Sequence, residues 1–205
     1  MTIGGLEMTA EDRTGPGRHR GGESLSFTAE GLLPPGDYEM TLDEIEVSLL
    51  VCGPRANRSP DWDEAWRHRL VTNLRVVVGQ LRGVGIGEVY VDGSFAEDKD
   101  HPNDIDGYFT CDPARFASGS LEHDLNRVDP RKSWTWDHRA RRRYRGYAKL
   151  QLPMWHAYRI ELYPHFRGLI AGQDEYGNDL EFPAFFRKRR SDSRPRGIVK
   201  IVQEP

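Results

Sequence analysis

The stretch VDGSFAEDKDHPNDID, residues 91–106, decides the fold prediction because a turn of small residues joins two predicted strands. The run 88–92 alternates apolar and polar residues and predicts a strand that leads directly into Gly93 and Ser94. A strand that ends in a glycine turn exposes backbone N–H groups, and these groups together with a hydroxyl can hold a phosphate. The sequence therefore predicts a phosphate site at this turn.

Two closely spaced acids follow the turn. Asp104 and Asp106 flank Ile105 at the start of a second predicted strand, residues 105–110. Because successive side chains of a strand alternate between its faces, the two carboxylates project on one side and Ile105 turns to the core. Two carboxylates at this spacing repel each other unless a cation lies between them, and Mg²⁺ prefers such oxygen ligands. A magnesium site is predicted here.

A third acid is predicted on a later strand, residues 158–163, which Pro164 closes. Arg159, Glu161 and Tyr163 share one face of this strand by alternation. A carboxylate among apolar neighbours needs a partner, and Glu161 could complete a metal clamp for in-line phosphoryl transfer. The alternative is that Glu161 pairs with one of the many arginines, such as Arg159.

Capping patterns predict two helices in the first half of the chain. Thr41 with Glu44 three residues later has the spacing of a capping box, and the helix should end near residues 53–54. Asp61 with Glu64 repeats this spacing at the start of a helix over residues 61–82, whose apolar residues recur at intervals of three and four. A further helix is predicted over residues 121–128 and a short strand over residues 197–202.

Length and composition favour one domain. The chain has 205 residues, of which 37% are hydrophobic and 30% are charged. Residues 1–30 carry few large apolar side chains and are predicted to form a flexible tail, followed by a single domain over residues 31–205. The N-terminal sequence lacks the apolar core of a secretory signal, and no long apolar run predicts a membrane span, so we expect a cytoplasmic protein with no membrane partner.

Two basic segments contrast with the net charge of −3. Residues 131–149 contain eight Lys or Arg and one Asp, and residues 185–200 contain seven and one. Tyr144 and Tyr147 stand among the arginines of the first segment, a composition typical of nucleic-acid surfaces. The alternative is that both segments pair with the acidic surface. Lys99, between the turn and the acids, could contact a phosphate or simply face solvent.

The Gly93-Ser94 pair, nine intervening residues and Asp104-Ile105-Asp106 resemble the signature of the nucleotidyltransferase superfamily with the DNA polymerase β-like fold. The longer run over residues 33–95 also resembles the small bacterial and phage proteins of the DUF6932 family. The likeness extends over roughly residues 31–110. Asp92 and Gly107 depart from the superfamily pattern, which usually has apolar residues at these two positions.

The resemblance implies an α+β chain with a polymerase β-like fold, a mixed β-sheet flanked by helices. It implies that Gly93 and Ser94 hold nucleotide phosphates, with Lys99 as a further candidate, and that Asp104 and Asp106 bind Mg²⁺, with Mn²⁺ as an alternative. Glu161 would be the third metal-binding and catalytic carboxylate and a base on the acceptor, an assignment that rests on its strand position.

The implied activity is transfer of a nucleoside monophosphate from an NTP, such as ATP, to an acceptor hydroxyl, with release of pyrophosphate. The acceptor would be RNA, such as tRNA, or a protein bound through the basic segments. The setting would be that of a toxin or phage-defence enzyme, with a cognate antitoxin as a candidate partner. The alternative is a catalytically inactive module of the same fold that binds RNA or a partner protein. Convergence of Asp104, Asp106 and Glu161 on one metal would favour the enzyme.

Overall fold

A six-stranded mixed sheet forms the centre of the computed structural model, which describes residues 18–20 and 25–203. In spatial order the strands are β1 (Arg18–Arg20), β2 (Asp37–Met40), β8 (Ile198–Ile201), β3 (Val89–Asp92), β4 (Ile105–Thr110) and β5 (Ile160–His165). β3 runs antiparallel to both of its neighbours, β8 and β4, and the other adjacent pairs are parallel. A separate antiparallel pair consists of β6 (Ile170–Gln173) and β7 (Asp179–Glu181).

Helices accompany the sheet, and the longest of them packs its apolar side into the core. Leu70, Leu74 and Leu81 of this helix are fully buried. The expected α+β class with a mixed sheet and helices is confirmed. The helices are α1 (Leu42–Val47), α2 (Leu49–Cys52), α3 (Glu64–Gly83), α4 (Pro113–Ala117), α5 (Ser120–Val128), α6 (Pro153–Tyr158) and α7 (Phe182–Phe185), with 3₁₀ turns at Gly93–Ala96 and His138–Ala140.

Several elements agree with the patterns in the sequence. Thr41 and Glu44 form the predicted capping box at the start of α1. Strand β4 has the predicted bounds, and β3 ends at Asp92, directly before the Gly-Ser turn. The first predicted helix is divided in two, since the Ser48 hydroxyl accepts from Leu50 N and caps a new helix, α2.

The N-cap of α3 lies two residues later than the capping spacing predicts. Asp63, not Asp61, is the N-cap, and its Oδ1 accepts from Trp66 N at 2.9 Å. Trp62 is buried and its Nε1 donates to Val51 O at 2.8 Å, which holds this residue outside the helix. A tertiary hydrogen bond therefore displaces the helix start from the local capping signal.

The strand predicted over residues 158–163 is also wrong at both ends. Tyr158 ends helix α6, and Arg159 has a left-handed backbone with φ of +59°, so Arg159 does not share a strand face with Glu161. The strand continues through Pro164 to His165 because β5 lies at the edge of the sheet, where a missing N–H costs little.

The predicted N-terminal tail lies mainly outside the described residues. Of its described parts, residues 18–20 form β1 beside β2, and Leu25 and Phe27 pack against the main core. No helix within residues 18–20 and 25–203 is long and apolar enough to cross a membrane.

Candidate functional site

A cleft of about 1030 Å³ brings the predicted phosphate turn together with two of the predicted acids. Gly93, Ser94, Asp106 and Glu161 line it. Both basic segments also reach the cleft, which has aromatic side chains on one wall. The basic side chains are Arg141, Lys149, Lys188, Arg189, Arg190 and Arg196, and the aromatic ones are Tyr163, Phe182, Phe185 and Phe186.

The Gly-Ser turn packs directly against one of the acids. Gly93 has a φ of +76°, and a β-carbon at this position would lie 2.8 Å from Asp106 Oδ2. Only glycine combines this backbone with so close an approach. Ser94 is partly exposed to the cleft, whereas Phe95 and Ala96 are buried and fix the 3₁₀ turn to the core.

Asp106 lines the cleft without a hydrogen-bond donor to its carboxylate among the described residues. It lies opposite Glu161 in the register of β4 and β5 and accepts no hydrogen bond from any residue in the described ranges. Burial, together with the neighbouring charges of Asp104 and Glu161, raises the pKa of Asp106 to about 8. A carboxylate placed this way binds a cation more readily than it stays charged alone.

Asp104 lies immediately before β4 and is held by a tryptophan. Trp155 Nε1 donates to Asp104 Oδ2 at 2.7 Å. Burial raises the pKa of Asp104, and the hydrogen bond from Trp155 opposes this shift. The second carboxylate oxygen of Asp104 accepts no hydrogen bond within residues 18–20 and 25–203, and Asp104 lies next to the cleft lining without being part of it.

Glu161 is only 6% exposed, and protein donors occupy both of its oxygens. Oε1 accepts from Leu152 N at 3.0 Å and from Arg141 at 3.3 Å, and Oε2 accepts from the Tyr163 hydroxyl at 2.5 Å. The arginine pairing considered from the sequence is therefore present, but the partner is Arg141. Arg159 instead stacks on the rings of Trp155 and Tyr144.

Two of the three predicted acids are suited to bind a divalent cation. Within the described part of the chain, no three His, Cys, Asp or Glu side chains form a group that could hold a metal ion. Asp106 has free acceptor capacity next to Asp104, whereas Glu161 is saturated by donors. Mg²⁺ commonly takes one or two carboxylates together with substrate phosphates, and the Asp104–Asp106 pair meets this need.

Two cations near the acids were not singled out from the sequence. Lys149 and Arg190 line the cleft, and both positive charges lower the pKa of Asp106. Neither makes an ion pair with another described residue. Lys99, the phosphate candidate from the sequence, is exposed and does not line the cleft, and its positive charge lowers the pKa of Asp104. The basic segments point to this role, but the sequence gives no sign of which cations stay unpaired.

The two basic segments differ in how far the protein neutralises them. In the segment 185–200, every Lys and Arg except Arg190 has a described carboxylate partner. In the segment 131–149, ion pairs form only at Arg139 and Arg141 among the described residues. The alternative of pairing with acidic neighbours thus describes the second segment and not the first.

The two departures from the superfamily pattern have structural explanations. Asp92 is completely buried and lies 2.7 Å from a nitrogen of Arg196, which also contacts Glu97 at 2.6 Å. These two acids stand on either side of the turn, so Arg196 joins its two ends. Gly107 is required because a β-carbon there would lie 2.1 Å from Tyr90 O on the neighbouring strand.

A family model covers nearly the whole of this arrangement. It matches residues 25–202 and is described as a family of unknown function, DUF6932. The chain belongs to the DUF6932 family. The match includes the turn, the acids and both basic segments, so the cleft lies within the family domain. No curated protein and no solved structure matches the chain significantly.

Proposed function

We propose that this member of the DUF6932 family is a divalent-cation-dependent nucleotidyltransferase with a polymerase β-like fold. The observation that carries the proposal is Asp106, an acid without a hydrogen-bond donor that lies beside Asp104 and against the Gly93 turn. The unpaired cations Lys149 and Arg190 are on the same cleft. Carboxylates, a turn of small residues and cations in one cleft suit a triphosphate and its metal ion.

Each group has a role in this proposal. The Gly93-Ser94 turn holds phosphate oxygens, and Lys149 and Arg190 neutralise the remaining phosphate charge. Asp104 and Asp106 hold Mg²⁺ or Mn²⁺, which when bound stabilises the charge that develops on the phosphates. The volume of about 1030 Å³ leaves room for a nucleotide beside the aromatic wall.

The reaction follows from these positions. The oxygen of an acceptor hydroxyl forms a bond to the α-phosphorus of the NTP, and the bond from that phosphorus to the oxygen bridging to the β-phosphate breaks. Pyrophosphate leaves, and the hydroxyl proton passes to a carboxylate. Glu161 is the candidate base, and it must first exchange the Arg141 donor for the acceptor hydroxyl.

The topology supports a polymerase β-like arrangement. The turn ends β3, the acids begin β4, and these strands are antiparallel neighbours, so that Asp92 opposes Asp106. A parallel strand, β5, adds Glu161 in register with Asp106. The strand order and register thus bring the turn and the carboxylates together where β3 ends and β4 and β5 begin. A cytoplasmic toxin or defence enzyme with a cognate antitoxin remains our proposal for its setting.

One observation favours a second candidate, a catalytically inactive module that binds RNA or a partner protein. Glu161 is held by Arg141, Tyr163 and the Leu152 backbone, so Glu161 is not free to join the Asp104–Asp106 pair as a third carboxylate. A fold that keeps the turn and two acids could bind a nucleotide without transferring it.

Label transfer separates the two candidates. The wild type is incubated with each of four α-³²P-labelled NTPs, Mg²⁺ or Mn²⁺, and bulk RNA or protein, beside Asp104→Asn and Asp106→Asn. Asp61→Asn, an exposed aspartate outside the cleft, is the matched control. We expect transfer by the wild type and the control, with at least a hundredfold loss in both site variants. Calorimetric binding of Mg²⁺–NTP without transfer to any acceptor would favour the inactive module, and absence of both would overturn the proposal.

A further inference from the structure

The segment 142–151, here named the arginine loop, projects beside the acidic edge of the cleft. It is closed by two backbone hydrogen bonds of 2.8 Å between Arg142 and Gln151. Arg142, Arg143 and Arg145 are exposed, as is Lys149, and none makes an ion pair within residues 18–20 and 25–203. A cluster of cations that the protein leaves without carboxylate partners suits a polyanion.

The arginine loop also presents an aromatic ring. Tyr144 is 41% exposed, and its ring centroid lies 5.2 Å from that of Trp155 and 4.0 Å from the guanidinium carbon of Arg159. These neighbours hold the ring in place while part of it stays open to solvent. Exposed aromatic rings among arginines stack on the bases of single-stranded nucleic acids.

Contacts at the base of the loop connect it to the candidate site. Trp155, which supports Tyr144, donates to Asp104 at 2.7 Å, and the Tyr147 hydroxyl donates to Asn103 Oδ1 at 3.2 Å. Lys149 lines the cleft itself. A single-stranded nucleic acid that lies along the arginine loop would therefore have its end close to Asp104 and Asp106.

We propose that the arginine loop binds a single-stranded polynucleotide and directs its terminal hydroxyl to the Asp104–Asp106 edge as the acceptor. The acceptor role rests on the proposed nucleotidyltransferase function, whereas the binding surface does not. An acidic protein segment would match the charge of the loop but would leave the exposed ring of Tyr144 without a base to stack on.

Fluorescence anisotropy with labelled RNA and DNA oligonucleotides of one sequence tests the surface. The loop variant is Arg142→Gln/Arg143→Gln/Arg145→Gln, and the control Arg55→Gln/Arg69→Gln/Arg127→Gln removes the same charge from exposed arginines elsewhere. We expect the loop variant to bind at least tenfold more weakly. The slope of log K against log salt should fall by about 2, since each phosphate contact on a single strand contributes roughly 0.7.

Substitutions of Tyr144 test the stacking. Tyr144→Leu should weaken binding roughly tenfold because it removes the ring on which a base stacks, and Tyr144→Phe should retain binding because the ring remains. Equal loss in the control triple variant, or equally tight binding of poly-glutamate, would overturn the proposal. Binding of RNA but not DNA would support it and assign the ribose hydroxyl as part of the recognised chemistry.

Label transfer with the same variants separates this inference from the proposed function. Transfer to RNA that the loop substitutions leave unchanged would overturn the loop as acceptor site while the enzyme stands. Loop-dependent oligonucleotide binding without any transfer would refute the enzyme and the acceptor role and leave the binding surface. Calorimetric binding of Mg²⁺–NTP to the loop variant, expected to be within threefold for a nonhydrolysable analogue, shows that the cleft is intact.

Discussion

Asp106 shows at the scale of one residue how the fold tolerates an uncompensated acid. Burial and two neighbouring acids raise its pKa to about 8. The folded chain therefore keeps a proton on Asp106 from about pH 4 to pH 8, a proton that the unfolded chain releases near pH 4. Because the folded state binds more protons over this window, the contribution of Asp106 to stability falls as the pH rises.

Asp106→Asn is expected to flatten this pH dependence. Without divalent cations, the free energy of unfolding of the wild type should fall between pH 5 and pH 8 by at least ~1 kcal/mol more than that of Asp106→Asn. Thermal melts at several pH values in EDTA measure the difference. Asp61→Asn should follow the wild type, and Mg²⁺ should stabilise the wild type at pH 8 and not Asp106→Asn. Parallel curves for wild type and Asp106→Asn would contradict the assigned environment.

Two glycines are expected to respond oppositely to the same substitution. Gly107→Ala should destabilise the protein by ~3 kcal/mol or more or prevent folding, because its β-carbon would lie 2.1 Å from Tyr90 O. Gly79 is exposed within α3, and apart from its chain neighbours and the helix backbone no atom of the described residues lies within 4 Å of such a β-carbon. Gly79→Ala should therefore stabilise by ~0.5–1 kcal/mol. Urea unfolding measures both. A Gly107→Ala protein as stable as the wild type would show that β3 and β4 lie farther apart.

At the scale of elements, one buried arginine on α3 holds the loop that follows the Gly-Ser turn. Arg67 is completely buried and donates to the carbonyls of Phe95, Glu97 and Lys99, and to that of Leu50 at the start of α2. Its guanidinium carbon lies 3.9 Å from the centroid of a Trp62 ring. The guanidinium of Arg67 thus connects α3 to α2 and to the loop.

Arg67→Met is expected to lower the free energy of unfolding by ~3 kcal/mol or more, because buried carbonyls lose their donors. Urea unfolding measures this loss, and Arg69→Met, at an exposed position on the same helix, should change it by less than ~0.5 kcal/mol. Trypsin should also cleave faster at Lys99. Unchanged cleavage in a folded Arg67→Met protein would show that other contacts hold the loop.

Local patterns predicted the elements that local forces determine. Strand β4 and the capping box at Thr41 depend on alternation and on contacts within four residues, and both were found as predicted. The predictions for the start of α3 and for residues 158–159 were wrong. These two features depend on Trp62 bonding to residue 51 and on Arg159 stacking against the Tyr144 ring, and a short window of sequence contains neither pair.

At the scale of the whole molecule, the sequence indicated which groups meet but not how they pair. The spacing of Asp104 and Asp106 and the strand position of Glu161 predicted neighbouring acids, and the strand register places Glu161 beside Asp106. That Arg141 engages Glu161 depends on the path of the intervening chain. The same holds for the unpaired charges of Lys149 and Arg190, because the folded chain decides which cations find acids.

The ion pair between Asp92 and Arg196 connects distant parts of the chain. Asp92 is fully buried at the end of β3, and Arg196 precedes β8 and also contacts Glu97 beyond the turn. Burial raises the pKa of Asp92 well above its usual range, and the charge of Arg196 opposes that shift. Removal of the arginine would therefore leave a buried acid that must either protonate or remain unpaired.

Arg196→Met is thus expected to lower the free energy of unfolding at pH 7 by ~3–5 kcal/mol, since breaking a buried pair costs more than replacing both partners. The loss should be smaller at pH 5, because Asp92 can then take a proton more easily, and Asp92→Asn/Arg196→Met should recover part of it. Urea unfolding of the three proteins at both pH values tests this. A double variant no more stable than Arg196→Met at either pH would show that Arg196 acts through Glu97 and the Phe186 carbonyl, to which its Nε donates at 3.1 Å, instead of through Asp92.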